Sequence, residues 1–291
     1  MDEITRISDL VGNTPLIRIR ENVFAKLEAV NPSGSIKDRM ALYLLGMAEK
    51  NNEIKPGYEI VEATSGNTGI SFAMVAALEG YRFTAIMAET MSTERRQMMR
   101  AYGASLILTP TMGHAVKKLE ESNAKDRVWL PRQFESRRNV DCHRETTGKE
   151  ILQQLDKIGA FVAGVGTGGT LMGVAEALRK EVSNVKIVAV EPAESAVLSG
   201  GRAGSHKIQG IGPGFIPKIV DTEKIDEIVK IKSDDAIEMT RMLAREKGLF
   251  VGISSGANVL ASLQMAKKMP NENIVTVLPD SANRYLSMRL F

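Results

Sequence analysis

The chain has 291 residues, 43% of them hydrophobic and 25% charged, with 38 basic side chains against 35 acidic ones. That length exceeds one typical domain and suits one large or two smaller lobes around substantial cores. A net charge of +3 argues against a nucleic-acid binder, and an aromatic content of 5% offers no base-stacking platform.

The single cysteine, Cys142, cannot form an intrachain disulfide, which fits a reducing compartment. With no activating neighbour in the sequence it reads as a structural thiol rather than a nucleophile. The start, Met1-Asp2-Glu3-Ile4-Thr5-Arg6, lacks the apolar core of a signal peptide. The long charge-free stretch 158–175 contains six glycines and reads as strand, loop and helix, not as a membrane span. A soluble cytoplasmic protein is expected, with no bound metal.

Taken in chain order, Val23 to Leu27 is strand-like and leads into the turn Asn31-Pro32-Ser33-Gly34-Ser35. Lys37 then falls on the first turn of an amphipathic helix. Strands are expected at 59–63, 83–87, 106–108, 161–165, 186–190 and 274–278. Helices are expected at 70–78, about 92–102, 171–180, about 234–247 and 257–269. Residues 131–139 read as irregular. Strands alternating with helices of this length imply parallel βαβ units and an α/β fold. The segment from Ser199 to Pro217 carries six glycines and reads as either a connector or a lid touching substrate.

Lys37 is the most informative residue. Helix N-termini favour anions, and the same field lowers an amine's pKa, as imine chemistry requires. Two downstream loops look built to hold anions. In Thr64-Ser65-Gly66-Asn67-Thr68-Gly69, hydroxyls, an amide and helix N–H groups could bind a carboxylate, or the loop could be a capped strand-to-helix turn. Gly164-Val165-Gly166-Thr167-Gly168-Gly169-Thr170 fits G-x-G-x-x-G, and Glu191 follows Gly169 by 22 residues. That is the layout of a dinucleotide fingerprint, although the minimal reading is a cup for one phosphate.

The combination decides between them. A pyridoxal phosphate enzyme needs a Schiff-base lysine, a phosphate cup, a carboxylate site and a partner for the pyridine nitrogen. A serine in the turn Gly252-Ile253-Ser254-Ser255-Gly256 could be that partner, or only a helix cap.

With these motifs in place, the chain closely resembles the cysteine synthase (O-acetylserine sulfhydrylase) family of pyridoxal phosphate-dependent β-replacement enzymes. The resemblance runs through Gly12 to Leu16, the Lys37 motif, Thr64 to Gly69, Glu89 to Ser92 and Glu94 to Arg96. It continues through Gln133-Phe134, Thr146 to Gly148, Gly166 to Thr170, His206 to Gly212, Gly252 to Gly256 and Arg284 to Ser287.

It implies two three-layer α/β lobes with mostly parallel sheets, the fold of type II pyridoxal phosphate enzymes, with the cofactor between them. The smaller lobe would span 37–145 and the larger 1–36 plus 146–291. By resemblance, Lys37 forms the Schiff base and then serves as base at Cα. Asn67 bonds the ring hydroxyl, Gly166, Thr167, Gly168, Gly169 and Thr170 hold the phosphate, and Ser254, with Ser255 in reserve, meets the ring nitrogen. Thr64, Ser65, Gly66, Thr68 and Gln133 take the substrate carboxylate, and Gly210, Ile211 and Gly212 face the substrate.

The implied reaction forms L-cysteine and acetate from O-acetyl-L-serine and sulfide, through β-elimination to an aminoacrylate. The alternative is a related reaction using L-cysteine or serine, with hydrogen sulfide, lanthionine or cystathionine as product. An O-phosphoserine donor would need a further cation, and Arg202 and Lys207 lie in a suitable loop. A homodimer, and docking of a serine acetyltransferase C-terminus, are the implied partners.

Overall fold

A computed structural model describes residues 4–64, 66–123 and 126–288. Among the described residues the chain divides into two compact units: 4–11, Asn31–Arg132 and 283–288 form the first, and Gly12–Val30 and Gln133–Ala282 the second. The sequence-based boundaries stood at 37 and 145. In the structure the chain enters the first unit at Asn31, leaves after Arg132 and returns at Asn283.

Among the described residues, the first unit holds a four-stranded, wholly parallel sheet. Its strands lie in the order Ser105–Thr109, Arg82–Ala88, Glu59–Ala63, Val128–Trp129. The helix Lys37–Lys50 buries Met40, Ala41, Leu44, Leu45 and Ala48, a stripe at helical spacing. That stripe packs in a core with Ile60, Ile70, Phe72, Phe83 and Met87. Phe72 is sandwiched between Phe83, at 6.0 Å between ring centroids, and Trp129, at 6.2 Å. The helix Asn67–Glu79 is buried on nearly every side, as a helix with so many apolar residues must be.

The second unit carries a six-stranded sheet among the described residues, in the order Leu16–Arg20, Val23–Leu27, Asn273–Leu278, Ile158–Gly164, Lys186–Pro192, Glu227–Ile231. Only the first pair is antiparallel. Ile158 to Ala163 are buried on both faces, the signature of a central parallel strand under helices. The N-terminal hairpin is tied in by Lys26, whose Nζ donates to Thr14 O and to Glu150, each at 2.5 Å.

Several elements differ from expectation. The last long helix runs Ile253–Lys268, four residues longer at its start than the periodicity predicts. The Ser-Ser-Gly run that reads as a turn is a helix contact: a Cβ on Gly256 would lie 2.1 Å from Ala236 O in the neighbouring helix Ser233–Lys247. The helix Arg137–His143 starts inside the segment read as irregular. It continues through a π turn, Arg144–Gly148, into Lys149–Gln154, where Thr-Thr-Gly masks helical character in the sequence.

The helix Met112–Ser122, capped by Thr111, was not foreseen. It buries only Ala115, Leu119 and Ser122, too sparse a stripe to stand out. No helix among the described residues is long and apolar enough to cross a membrane, and no metal-binding cluster occurs among them.

Candidate active site

Lys37 is the first residue of its helix, half-buried, and its backbone N–H donates to Ser35 Oγ at 3.3 Å. The turn before it is held by Asp38. That carboxylate accepts from Ser33 N at 2.7 Å, from Ser33 Oγ, and from Ser71 Oγ at 2.5 Å. Burial pushes the Asp38 carboxyl above the usual range, opposed by these hydrogen bonds and by the Arg284 charge.

The loop after Glu59–Ala63 is organised around Thr64. Its Oγ1 accepts from Gly66 N at 3.0 Å and Gly69 N at 3.1 Å, so the hydroxyl caps the helix beginning at Asn67. Both readings of this loop are therefore compatible. The lone pairs of Thr64 serve the turn, and its O–H hydrogen must point away from these donors. Gly66 has φ +151°, and a Cβ there would overlap the Arg95 side chain at 2.1 Å, so the loop's close turn requires glycine. Thr68 is buried and Asn67 half-buried at the helix start. Ser65 lies outside the described residues.

In the second unit the glycine loop, the 210–212 segment and the helix at Ile253 meet. Gly212 N donates to Val165 O at 2.9 Å. A Cβ on Gly166 would lie 2.2 Å from Gly210 O, and one on Gly169 2.1 Å from Asn139 Oδ1. The loop is thus packed backbone to backbone on Gly210. Ser254 Oγ lies 4.0 Å from where a Cβ of Gly210 would be, so the reserve position, Ser255, is not the one facing this segment. Ser255 Oγ is buried and makes no hydrogen bond.

Residues behind the cup went unassigned in the sequence. Asn139 Nδ2 donates to Gln133 O at 2.9 Å and to Thr167 Oγ1 at 3.0 Å. His143 lies 2.9 Å from Thr147 Oγ1 through Nδ1 and 3.3 Å from Thr170 Oγ1 through Nε2. Asn258 Oδ1 accepts from Gly164 N at 2.8 Å. The Thr-Thr-Gly motif marked this region, but nothing in the spacing tied it to the cup.

The dinucleotide fingerprint fails on its acid. Glu191 is buried, and its carboxylate accepts from Leu198 N at 2.8 Å, Ser199 N at 3.2 Å and the Ser199 hydroxyl. It braces the start of the 199–217 segment and has no place for a ribose. Within that segment Lys207 pairs with Asp234 at 2.9 Å and Phe215 packs edge-on to Phe134.

Residues 7–280 match the family described as "Pyridoxal-phosphate dependent enzyme". The chain belongs to that family. It is 48% identical to a cysteine synthase of Staphylococcus aureus strain N315, over 99% of this chain and 97% of the relative. Among solved structures it resembles an O-ureido-L-serine synthase, with a TM-score of 0.94 at 41% identity, over 100% of this chain and 96% of that one. A cysteine synthase from Entamoeba histolytica gives a TM-score of 0.94 at 40% identity, over 100% of this chain and 91% of that chain.

The residues present fit the family's cofactor. Gly166, Gly168 and Gly169 are each packed so closely, on Gly210 O, Val220 and Asn139, that a Cβ at any of them would overlap its neighbour, so only glycines let the loop turn there. The loop supplies backbone N–H groups at the start of the helix Gly169–Glu181 and the hydroxyls of Thr167 and Thr170. Such a set suits a phosphate monoester.

Proposed function

We propose that this chain is a cysteine synthase that forms L-cysteine and acetate from O-acetyl-L-serine and sulfide. The observation that carries this reading is 48% identity to a cysteine synthase across nearly the whole of both chains.

Bound pyridoxal phosphate supplies an aldehyde that condenses with amines and a ring that draws electrons from Cα. Lys37 Nζ would hold that aldehyde carbon. As a free amine, Lys37 Nζ would take the proton from Cα as acetate departs from Cβ, and would return it to Cα when sulfide adds to Cβ. The Asn67 amide would donate to the ring hydroxyl. The N–H groups and hydroxyls of Gly166, Thr167, Gly168, Gly169 and Thr170 bind the phosphate.

Ser254 Oγ would be the partner of the ring nitrogen. A neutral hydroxyl there, unlike a carboxylate, would not hold that nitrogen protonated, which would favour direct elimination over transamination. Thr64, Ser65, Gly66, Thr68 and Gln133 take the substrate carboxylate, and Gly210, Ile211 and Gly212 face its side chain. The reading extends to a cytoplasmic homodimer able to bind a serine acetyltransferase C-terminus.

The test is direct. Purified protein should be yellow, Lys37→Ala should lose that visible band, and O-acetylserine with sulfide should yield cysteine and acetate in equal amounts. Faster sulfide release from L-cysteine than cysteine formation would overturn the donor assignment. A colourless wild-type protein would overturn the whole reading.

A further inference from the structure

The buried guanidinium of Arg284 has an unusual set of acceptors for a residue far along the chain from the catalytic loops. Arg284 is 1% exposed. One terminal nitrogen donates to Asn67 Oδ1 at 2.6 Å, and the other to Ser33 O and Gly34 O, both at 2.9 Å. One planar cation therefore joins the turn that delivers Lys37 to the first residue of the helix that carries Asn67.

A guanidinium can only donate hydrogen bonds. The atom of Asn67 that faces it must be the carbonyl oxygen, so the amide NH2 is turned to the opposite side. A glutamine or serine in place of Arg284 could accept as well as donate, and would leave both amide orientations open. Arginine leaves one.

The segment that holds Arg284 is itself secured. Ser92 Oγ donates to Arg284 O at 2.8 Å, the Arg95 guanidinium lies 4.6 Å from the Tyr285 ring centroid, and Ser287 Oγ donates to Glu94 at 2.8 Å. The Arg284 charge lies close enough to favour the ionised form of Asp38, beside Lys37, against the cost of its burial. A buried arginine held this firmly costs desolvation, and an apolar residue would fill the same space at lower cost. The three oxygens that Arg284 meets, Asn67 Oδ1, Ser33 O and Gly34 O, need a planar fork of donors to reach them together.

We propose that Arg284 is a positioning residue for the cofactor: it fixes which way the Asn67 amide faces and holds the Ser33–Gly34 backbone that carries Lys37. The inference rests on the reading of Asn67 as donor to the cofactor's ring hydroxyl.

The test uses the full-length holoenzyme and its apoprotein. Arg284→Lys keeps a positive charge for Asp38 but loses the fork. Visible-to-near-ultraviolet absorbance of bound pyridoxal phosphate, cofactor affinity by titration of the apoprotein, and apoprotein melting are measured for Arg284→Lys, Asn67→Ala and the double variant. Asn67→Ala should lower the visible fraction and weaken binding. Arg284→Lys should reproduce most of that change, roughly tenfold in affinity as for one charge-assisted hydrogen bond, and the double variant should be no worse than Asn67→Ala. Effects that multiply in the double variant would overturn the proposal, as would a wild-type spectrum in Arg284→Lys. An unchanged Asn67→Ala would instead remove the underlying reading, and the proposal with it.

Should Arg284→Lys fail to fold, Asn67→Asp serves. It keeps an oxygen toward Arg284 but carries no N–H, so it should melt like wild type and absorb like Asn67→Ala. A wild-type spectrum there would sink the orientation argument.

Discussion

At Gly168 the backbone stands at φ +90°, and a Cβ would lie 2.2 Å from Val220 Cγ2. Gly168→Ala thus meets both an unfavourable conformation and an overlap, and should cost roughly 1–3 kcal/mol. Denaturant melts of the apoprotein would measure that cost, and cofactor titration should show weaker binding alongside it. A second residue-scale expectation concerns Lys26, fully buried beside Glu150. Lys26→Met should destabilise by about 3–5 kcal/mol, because Glu150 loses its charge partner, and a Lys26→Met/Glu150→Leu double variant should recover much of the loss.

The helix Thr93–Ala101 is joined at its start to the C-terminal segment, with Glu94 accepting from Ser287 N at 2.5 Å and Ser287 Oγ at 2.8 Å. Burial opposes ionisation of Glu94, but its own backbone N–H and the Ser287 donors win and hold it below the ordinary value of 4.5. A depressed carboxyl contributes stability above that value and loses it as pH falls through the folded-state pKa. Melting temperature should therefore fall more steeply in wild type than in Glu94→Gln as pH drops below about 4.5; parallel slopes would show the contact carries nothing.

Elements with a dense apolar period, such as Ile158–Gly164, were legible in the sequence. So were the positions of the two glycine loops, each between a strand and a helix, and the lysine that opens its helix. The Ile253–Lys268 start was not, because Ser254, Ser255 and Gly256 owe their small size to a neighbouring helix rather than to a turn. Asn139, His143 and Arg284 escaped assignment for another reason. Each acts on a residue distant in sequence, and only the fold reveals that Arg284 reaches Asn67.

For the molecule as a whole, ligand linkage gives the broadest expectation. Pyridoxal phosphate at 100 times its dissociation constant should stabilise the folded chain by about 2.7 kcal/mol, seen as a rise in melting temperature. Lys37→Ala should show a smaller rise at the same concentration, since the covalent part of the affinity is gone. Equal rises would place the anchoring lysine elsewhere.

The strand Val23–Leu27 lies between Leu16–Arg20 and Asn273–Leu278, in register from Val23↔Ile274 to Leu27↔Leu278. During synthesis its inner neighbour emerges some 250 residues later, a wait of roughly 12–50 s at 5–20 residues per second. Through that interval the hairpin presents an open, apolar edge to the crowded surroundings of the ribosome. Arg284 follows the closing strand by six residues. The nascent chain thus acquires the partner of its first hairpin and the clamp on Asn67 in one late step, and a ribosome stalled before that point holds a chain with neither.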